Sequence, residues 1–336
     1  MESAGNNPTD RRYSKSTFSK TLLGDLGILF FILSFLFLGY KLFTFQHYDS
    51  LVSQWRLMSI SQIWWLSGVL ILLPVNWSLE ALKWRILASS VQKLSFSDAV
   101  KAVLSGISTG FFTPNRIGEL VGRINFLDAA NRKSGITLSV VNSLTQNIIM
   151  AFCGIPSCIL FFLITKGKFQ PDTIHFILIL MICILIFGVL YFTLPQWSRR
   201  LKGNSFSKKI TSFTDCLAAY KLKDLIQILG VSFIRYAVFC VQFYFMLCFF
   251  GVELTPWQAL ISIPTTYLLV TFTPSFAFSE AVVRSSYAIL IIGTFSGQVV
   301  NIALAGICIW AVNFIIPMLA GSVVIARKTH ENHSIA

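Results

Sequence analysis

The chain has 336 residues, of which 55% are hydrophobic and 12% charged, with a mean hydropathy of +0.71. A soluble domain carries about 25% charged residues, so this composition excludes a water-soluble globule and, with it, a soluble catalytic domain. The net charge of +13 does not require nucleic acid: most Lys and Arg sit in short loops between apolar runs, where the positive-inside rule and attraction to anionic lipid account for them.

In chain order, a polar and basic tail over 1–20 precedes the apolar run Leu22–Phe43. That run is too long for a signal-peptide core and no small-residue cleavage motif follows it, so it reads as a retained span. About six full spans are expected, at 22–44, 60–82, 136–165, 173–195, 225–250 and 297–326, each matched to a hydrocarbon core of about 30 Å. The basic segment 196–224 is expected to lie on anionic headgroups as a surface helix. Residues 329–336 form a second short tail. The expected fold is all-α, a polytopic membrane helix bundle with a single transmembrane domain over 21–328.

Two apolar stretches do not fit the spanning pattern. Ala99–Phe112 and Trp257–Phe272 are each about 15 residues, roughly 22 Å as helix. Each breaks at Thr-Pro and resumes, over about 116–128 and 278–293. Two short arms around a break describe a re-entrant hairpin, tolerated at membrane depth only where the backbone is buried in protein or lines a cavity.

Counting Lys and Arg orients the chain. With the N-terminus in the cytoplasm, 18 flank the spans inside, Lys83 and Arg85 among them, and 4 outside. Both termini are then cytoplasmic, in a bacterial inner or plasma membrane. The first hairpin enters from the cytoplasm and the second from outside, an inverted repeat with halves of about 60–165 and 225–326.

The two breaks match in sequence. Both contain Phe-Thr-Pro, with Thr113-Pro114 in the first and Thr273-Pro274 in the second. Glu119 and Glu280 follow, five and six residues after their prolines, and Arg123 and Arg284 come four residues after each Glu. Proline ends each first arm by removing a donor and clashing with the preceding turn. The second arms then open with free N–H groups that favour an anion, and Arg116 adds a positive charge beside the first break. Each Glu–Arg pair lies on one helix face. Such a pair either neutralises itself or, in the sharper reading, its Arg holds a phosphate or carboxylate that the Glu tunes. Arg235, about ten residues into its span with Gln242 two turns later, is expected to face the same cavity. Asn142 and Gln146 are four apart and serve as interhelical glue or as lining. Asn76, Glu80, Trp84 and Arg85 recur at helical spacing; Trp84 and Arg85 read as interfacial anchors, Asn76 and Glu80 do not. No CxxC spacing occurs, six of the seven Cys lie in apolar runs, and the four His are scattered, so neither a metal site nor a cofactor is expected.

At these residues the chain resembles the lysylphosphatidylglycerol synthase transmembrane, or flippase-like, family. The resemblance rests on Asn76-Trp77-Ser78-Leu79-Glu80-Ala81-Leu82-Lys83-Trp84-Arg85, on Thr113-Pro114-Asn115-Arg116-Ile117-Gly118-Glu119 with Arg123, and on Thr273-Pro274 with Glu280 and Arg284. It covers about 22–328. It implies translocation of a lipid between leaflets, such as an aminoacylated phosphatidylglycerol or an isoprenoid-linked envelope lipid. In the second copy Phe276 and Phe278 replace the small-residue turn of the family. The synthase members carry a large soluble aminoacyl-transfer domain after the membrane part; eight residues follow Lys328, so that activity is not expected here.

The leading expectation is a flippase or transporter for an anionic lipid headgroup, with anionic membrane lipids as partners and no nucleic acid. Two rivals remain: an intramembrane enzyme using Glu119 or Glu280 as a base, and an accessory subunit partnering an envelope-biosynthesis enzyme.

Overall fold

The computed structural model describes residues 60–111, 113, 116–166, 171–201, 215–274 and 277–334. The expected span at 22–44, the basic stretch 202–214, and Pro114, Asn115, Ser275 and Phe276 lie outside the described residues. Among the described residues every regular element is a helix. In order they are α1 (Ile60–Ala88), α2 (Phe96–Phe111), α3 (Gly118–Ile124), α4 (Arg132–Lys166), α5 (Pro171–Leu201), α6 (Leu222–Phe249), α7 (Pro256–Phe272), α8 (Ala277–Ile292), α9 (Val299–Trp310) and α10 (Ile316–Ser334).

Four stretches, Gln62–Ala88, Ala129–Thr165, Leu222–Phe249 and Val299–Lys328, are long and apolar enough to cross a membrane. They answer to the spans expected at 60–82, 136–165, 225–250 and 297–326. The stretch expected at 173–195 is α5, whose outer surface carries exposed Leu178, Ile182, Leu185 and Ile186. The chemistry is inverted relative to a soluble protein. Large apolar side chains face outward, while Glu80, Lys83, Arg123, Glu280 and Arg284 are all under 9% exposed. Only an apolar solvent makes that arrangement favourable, because exposed apolar surface on this scale would drive aggregation in water.

The two expected broken segments are α2–α3 and α7–α8. Each is entered through a side-chain cap: Asp98 N–H donates to Ser95 Oγ at 3.1 Å, and Gln258 N–H donates to Thr255 Oγ1 at 3.3 Å. Ser95 and Thr255 stand 160 residues apart, the same offset as Pro114 and Pro274. The halves also pack reciprocally. Helix α2 lies on α10, the closing helix of the other half, and α7 lies on α4, while α1 and α6 pair with one another. Small residues permit both crossed contacts. Gly321 of α10 abuts the backbone of Leu104, and Gly154 of α4 abuts Leu268.

The helix closing the second half is interrupted by a π-helical turn at Ala311–Ile315 between α9 and α10. Pro317 explains the place: it lacks an N–H, and its ring presses on the carbonyl four residues back, that of Asn313. The widened turn carries Asn313 and Phe314 to the interior.

One sequence expectation needs correcting. The segment after α5 is not wholly a surface helix: the 3-10 turn Asp215–Ala219 packs on α4 and α5 with Cys216 and Leu217 buried, and Tyr220 donates its hydroxyl to Leu87 O. The apolar residues within a basic stretch pull it onto the bundle.

Arms α2 and α3 touch through glycine. A Cβ on Gly122 would lie 2.5 Å from the backbone N and Cα of Gly106, with no flexible side chain to yield. Gly122→Ala is therefore expected to destabilise the protein by roughly 1–3 kcal/mol as the arms part. Gly230→Ala, at an α6 position with nothing within 4 Å, should leave stability unchanged or slightly raised. Thermal denaturation of both variants in detergent checks the contrast.

Candidate functional site

The two hairpins meet over a polar cavity of about 480 Å³. Its charged lining comes from helical spacings that put side chains on one face: Glu80 and Lys83 on α1, Glu119 and Arg123 on α3, Glu280 and Arg284 on α8. Arg116 adds a cation from the first break, and Arg235 another from α6.

These groups form a chain of alternating sign. Glu80 is its densest point. Its Oε1 accepts from Arg123 Nη2 at 2.7 Å and from Asn142 Nδ2 at 2.7 Å. Its Oε2 pairs with Lys83 Nζ at 3.1 Å and with Arg235 Nη1 at 3.0 Å. Arg123 reaches on to Glu119 Oε2 at 3.2 Å, and Arg116 Nη1 lies 4.0 Å from Glu119 Oε1. Arg116 then crosses to the other hairpin and donates to Glu280 Oε2, whose other oxygen accepts from Arg284 at 2.6 Å. The chain thus runs from α6 through α1 and α3 to α8. It joins the two breaks directly.

Neutral groups orient the cations. Arg235 Nε donates to Asn76 Oδ1 at 2.8 Å, and its Nη1 donates to Gln146 Oε1 at 3.2 Å. Asn76 in turn bonds Gln242 at 3.4 Å. Each arginine also lies against a ring: Arg116 is 3.9 Å from the Phe314 centroid, Arg235 4.9 Å from Phe239, Arg284 5.1 Å from Tyr267 and Arg123 5.6 Å from Trp84. Ring faces favour a guanidinium more when water is excluded.

The first break is tightly built. Arg116 takes a left-handed backbone, φ 56°, which a non-glycine residue adopts at a cost of about 1–2 kcal/mol. Thr113 closes the turn from both sides, donating to Gly110 O at 3.0 Å and accepting from Gly118 N–H at 2.8 Å. Of the N–H groups expected to be free at the start of α3, that of Gly118 is therefore taken by the turn, and Arg116 adds a positive charge beside it.

The structure brings Asn76, Glu80, Arg116, Glu119, Arg123, Asn142, Gln146, Arg235, Thr273, Pro274, Glu280 and Arg284 to one cavity. Thr113 is committed to the turn, and Pro114 lies outside the described residues. Thr273 donates to Leu269 O at 2.7 Å and bonds the Tyr287 hydroxyl at 2.9 Å. Two assignments change. Lys83 is not a flanking loop charge; it is fully buried, pairs with Glu80 and donates to Asn142 O at 3.2 Å. Trp84 is not an interfacial anchor; it is fully buried beside Arg123, whereas Arg85 is exposed. Positive-inside counting treats every Lys near a span end alike. The three-residue step from Glu80 to Lys83 was the signal that separated this one. Phe239, Tyr267, Asn313 and Phe314 also line the cavity without having been singled out. Of these, only the last pair left a trace in sequence, the proline at 317.

Glu80 faces three cations at a place where water is scarce. Glu80→Gln leaves Arg123, Lys83 and Arg235 under-compensated and should destabilise the protein by about 3–5 kcal/mol. Adding Lys83→Met removes one of the stranded charges and is expected to recover a substantial part of that loss. A double-mutant cycle on detergent melting curves measures the coupling.

The sequence model of the lysylphosphatidylglycerol synthase TM region matches residues 25–321. No curated protein and no solved structure gives a match. The matched stretch contains both broken segments, every charged residue of the cavity, and, of the four apolar stretches long enough to cross a bilayer among the described residues, three in full and most of Val299–Lys328. This chain belongs to the lysylphosphatidylglycerol synthase transmembrane-region family.

Proposed function

We propose that the protein moves an anionic lipid headgroup between leaflets through the cavity where the two hairpins meet. In this reading α2–α3 enters from the cytoplasm and α7–α8 from the opposite side, as an inverted repeat. The Lys and Arg asymmetry supports placing both termini in the cytoplasm of a bacterial plasma membrane. The observation that carries the proposal is the Arg116–Glu280 ion pair. It joins the breaks of two half-helices that are both too short to cross a bilayer.

The chemistry of transport follows from exchange of partners. An anion entering beside Arg116 competes with Glu280 for the same guanidinium. Its arrival loosens the bond between the hairpins while Glu280 keeps Arg284 as its partner. Gln146 supplies a neutral donor in the same cavity, its Nε2 being without a partner. Separate hairpins, held by opposite halves, then shift relative to one another without a buried charge being left alone.

Reconstituted in liposomes with fluorescent anionic phospholipid, the wild-type chain should exchange lipid between leaflets faster than protein-free vesicles. Arg116→Gln should slow that exchange on the order of tenfold, the effect of losing about 1.4 kcal/mol of charge attraction. Wild-type exchange at the protein-free rate overturns the proposal. Chemically altered lipid in the same vesicles, read by mass spectrometry, would instead support the enzymatic reading.

A further inference from the structure

The cavity is not neutral. Its lining contains five cations, Lys83, Arg116, Arg123, Arg235 and Arg284, and three carboxylates, Glu80, Glu119 and Glu280. Each carboxylate already has at least two cationic neighbours: Glu80 has Lys83, Arg123 and Arg235; Glu119 has Arg116 and Arg123; Glu280 has Arg116 and Arg284. No rearrangement among these groups cancels the remaining two positive charges. Several buried donors are also still unused. Nη1 of Arg123, Nε of Arg284 and Nε2 of Gln146 have no hydrogen-bond partner, although their residues are 3%, 5% and 8% exposed. Buried donors without partners, beside surplus positive charge, are costly in isolation and specific for an acceptor that brings negative charge with it.

A second, smaller cavity of about 300 Å³ opens between α3 and α4. It shares Arg116, Glu119, Arg123, Ser143 and Asn147 with the main cavity. Its remaining lining is largely apolar and ends at Ile117 and Val140, which are 59% and 53% exposed on the outside of the bundle. One side of the charged site therefore leads to the surface that faces lipid tails.

We infer that the site takes a lipid headgroup carrying two negative charges, a phosphate monoester or a diphosphate diester, with its hydrocarbon leaving between α3 and α4. A dianion matches the surplus left by five cations and three carboxylates; a phosphodiester, with one charge, leaves one cation uncompensated. Terminal phosphate oxygens also accept charge-assisted hydrogen bonds of the kind the four guanidinium groups lining the cavity can donate, those of Arg116, Arg123, Arg235 and Arg284. The open α3–α4 side distinguishes a lipid from free phosphate, which has no use for an apolar exit. This inference rests on the transport reading for its site and extends it by naming the headgroup.

The test is binding, read separately from transport. The full chain, purified in detergent, is titrated with short-chain phosphatidic acid, short-chain phosphatidylglycerol and inorganic pyrophosphate. The measurements are made at about pH 7, above the second ionisation of a phosphate monoester near 6. Phosphatidic acid is expected to bind about tenfold or more tighter than phosphatidylglycerol, since one further charge pair at low dielectric is worth at least that much. Pyrophosphate is expected to bind more weakly than phosphatidic acid. Arg235→Gln lowers the surplus to one and should bring the two lipids to similar affinity. Glu119→Gln raises it and should tighten binding of both. Circular dichroism and monodispersity establish that each variant is folded, and either variant alone tests the charge rule. Equal affinity for the two lipids in the wild type, or weaker anion binding in Glu119→Gln, overturns the inference. Pyrophosphate binding as tightly as the lipid overturns its lipid part. Dianion selectivity without leaflet exchange would leave this inference standing and remove the transport proposal; exchange without selectivity would do the reverse.

Discussion

A carboxylate buried in a membrane protein has to be surrounded, and Glu80 shows what that requires. Three cations and an amide converge on it from α1, α3, α4 and α6, so one side chain fixes the mutual placement of four helices. Charge at membrane depth is expensive unless paired, and removing any one partner strands the others. The ion-pair chain that starts at Glu80 and ends at Arg284 is therefore both the support of the cavity and its charged lining. Packing of the surrounding apolar residues positions the helices; the charges decide the register in which they meet.

The two halves share a frame and differ in their cargo of charge. Caps, breaks and Glu–Arg steps recur in both, and each hairpin packs on the closing helix of the other half. Yet Glu80 and Lys83 have no acidic or basic counterpart at the same offset in α6, where Cys240 and Phe243 stand. Arg235 of α6 is matched by Val75 in α1. The second half lends its cation to the first half's acid across the α1–α6 contact. A similar frame with unequal charge gives a cavity that is richer in partners on one side, the side that also opens between α3 and α4.

The first break combines close backbone packing with a cation that reaches across to the other hairpin. Gly106 and Gly122 bring the arms into backbone contact, and Thr113 ties the turn at both ends. Arg116, between them, holds a left-handed backbone and reaches across to Glu280. Strained residues persist where the surroundings over-determine them, and they cluster where a site must be pre-set for its ligand. The π-helical turn before Pro317 makes the same kind of adjustment on the facing wall, placing Phe314 under Arg116.

Much of this protein could be read from its residues alone. Composition and run length established a helical membrane bundle, because a bilayer demands continuous apolar helix of a set length. The two Phe-Thr-Pro breaks and the Glu–Arg steps were visible because proline and four-residue spacing act locally. Family membership was legible from the same residues. Which groups answer one another was not legible: Glu80 with Arg123, Arg116 with Glu280 and Arg235 with Asn76 are separated by 43, 164 and 159 residues, and no local pattern encodes such pairs. Lys83 and Trp84 looked like flanking residues because hydropathy reads distance from a span's end, not which face turns inward. Burial, ion pairing and the net charge of the cavity are properties of helices assembled around a common centre, and only the tertiary structure decided them.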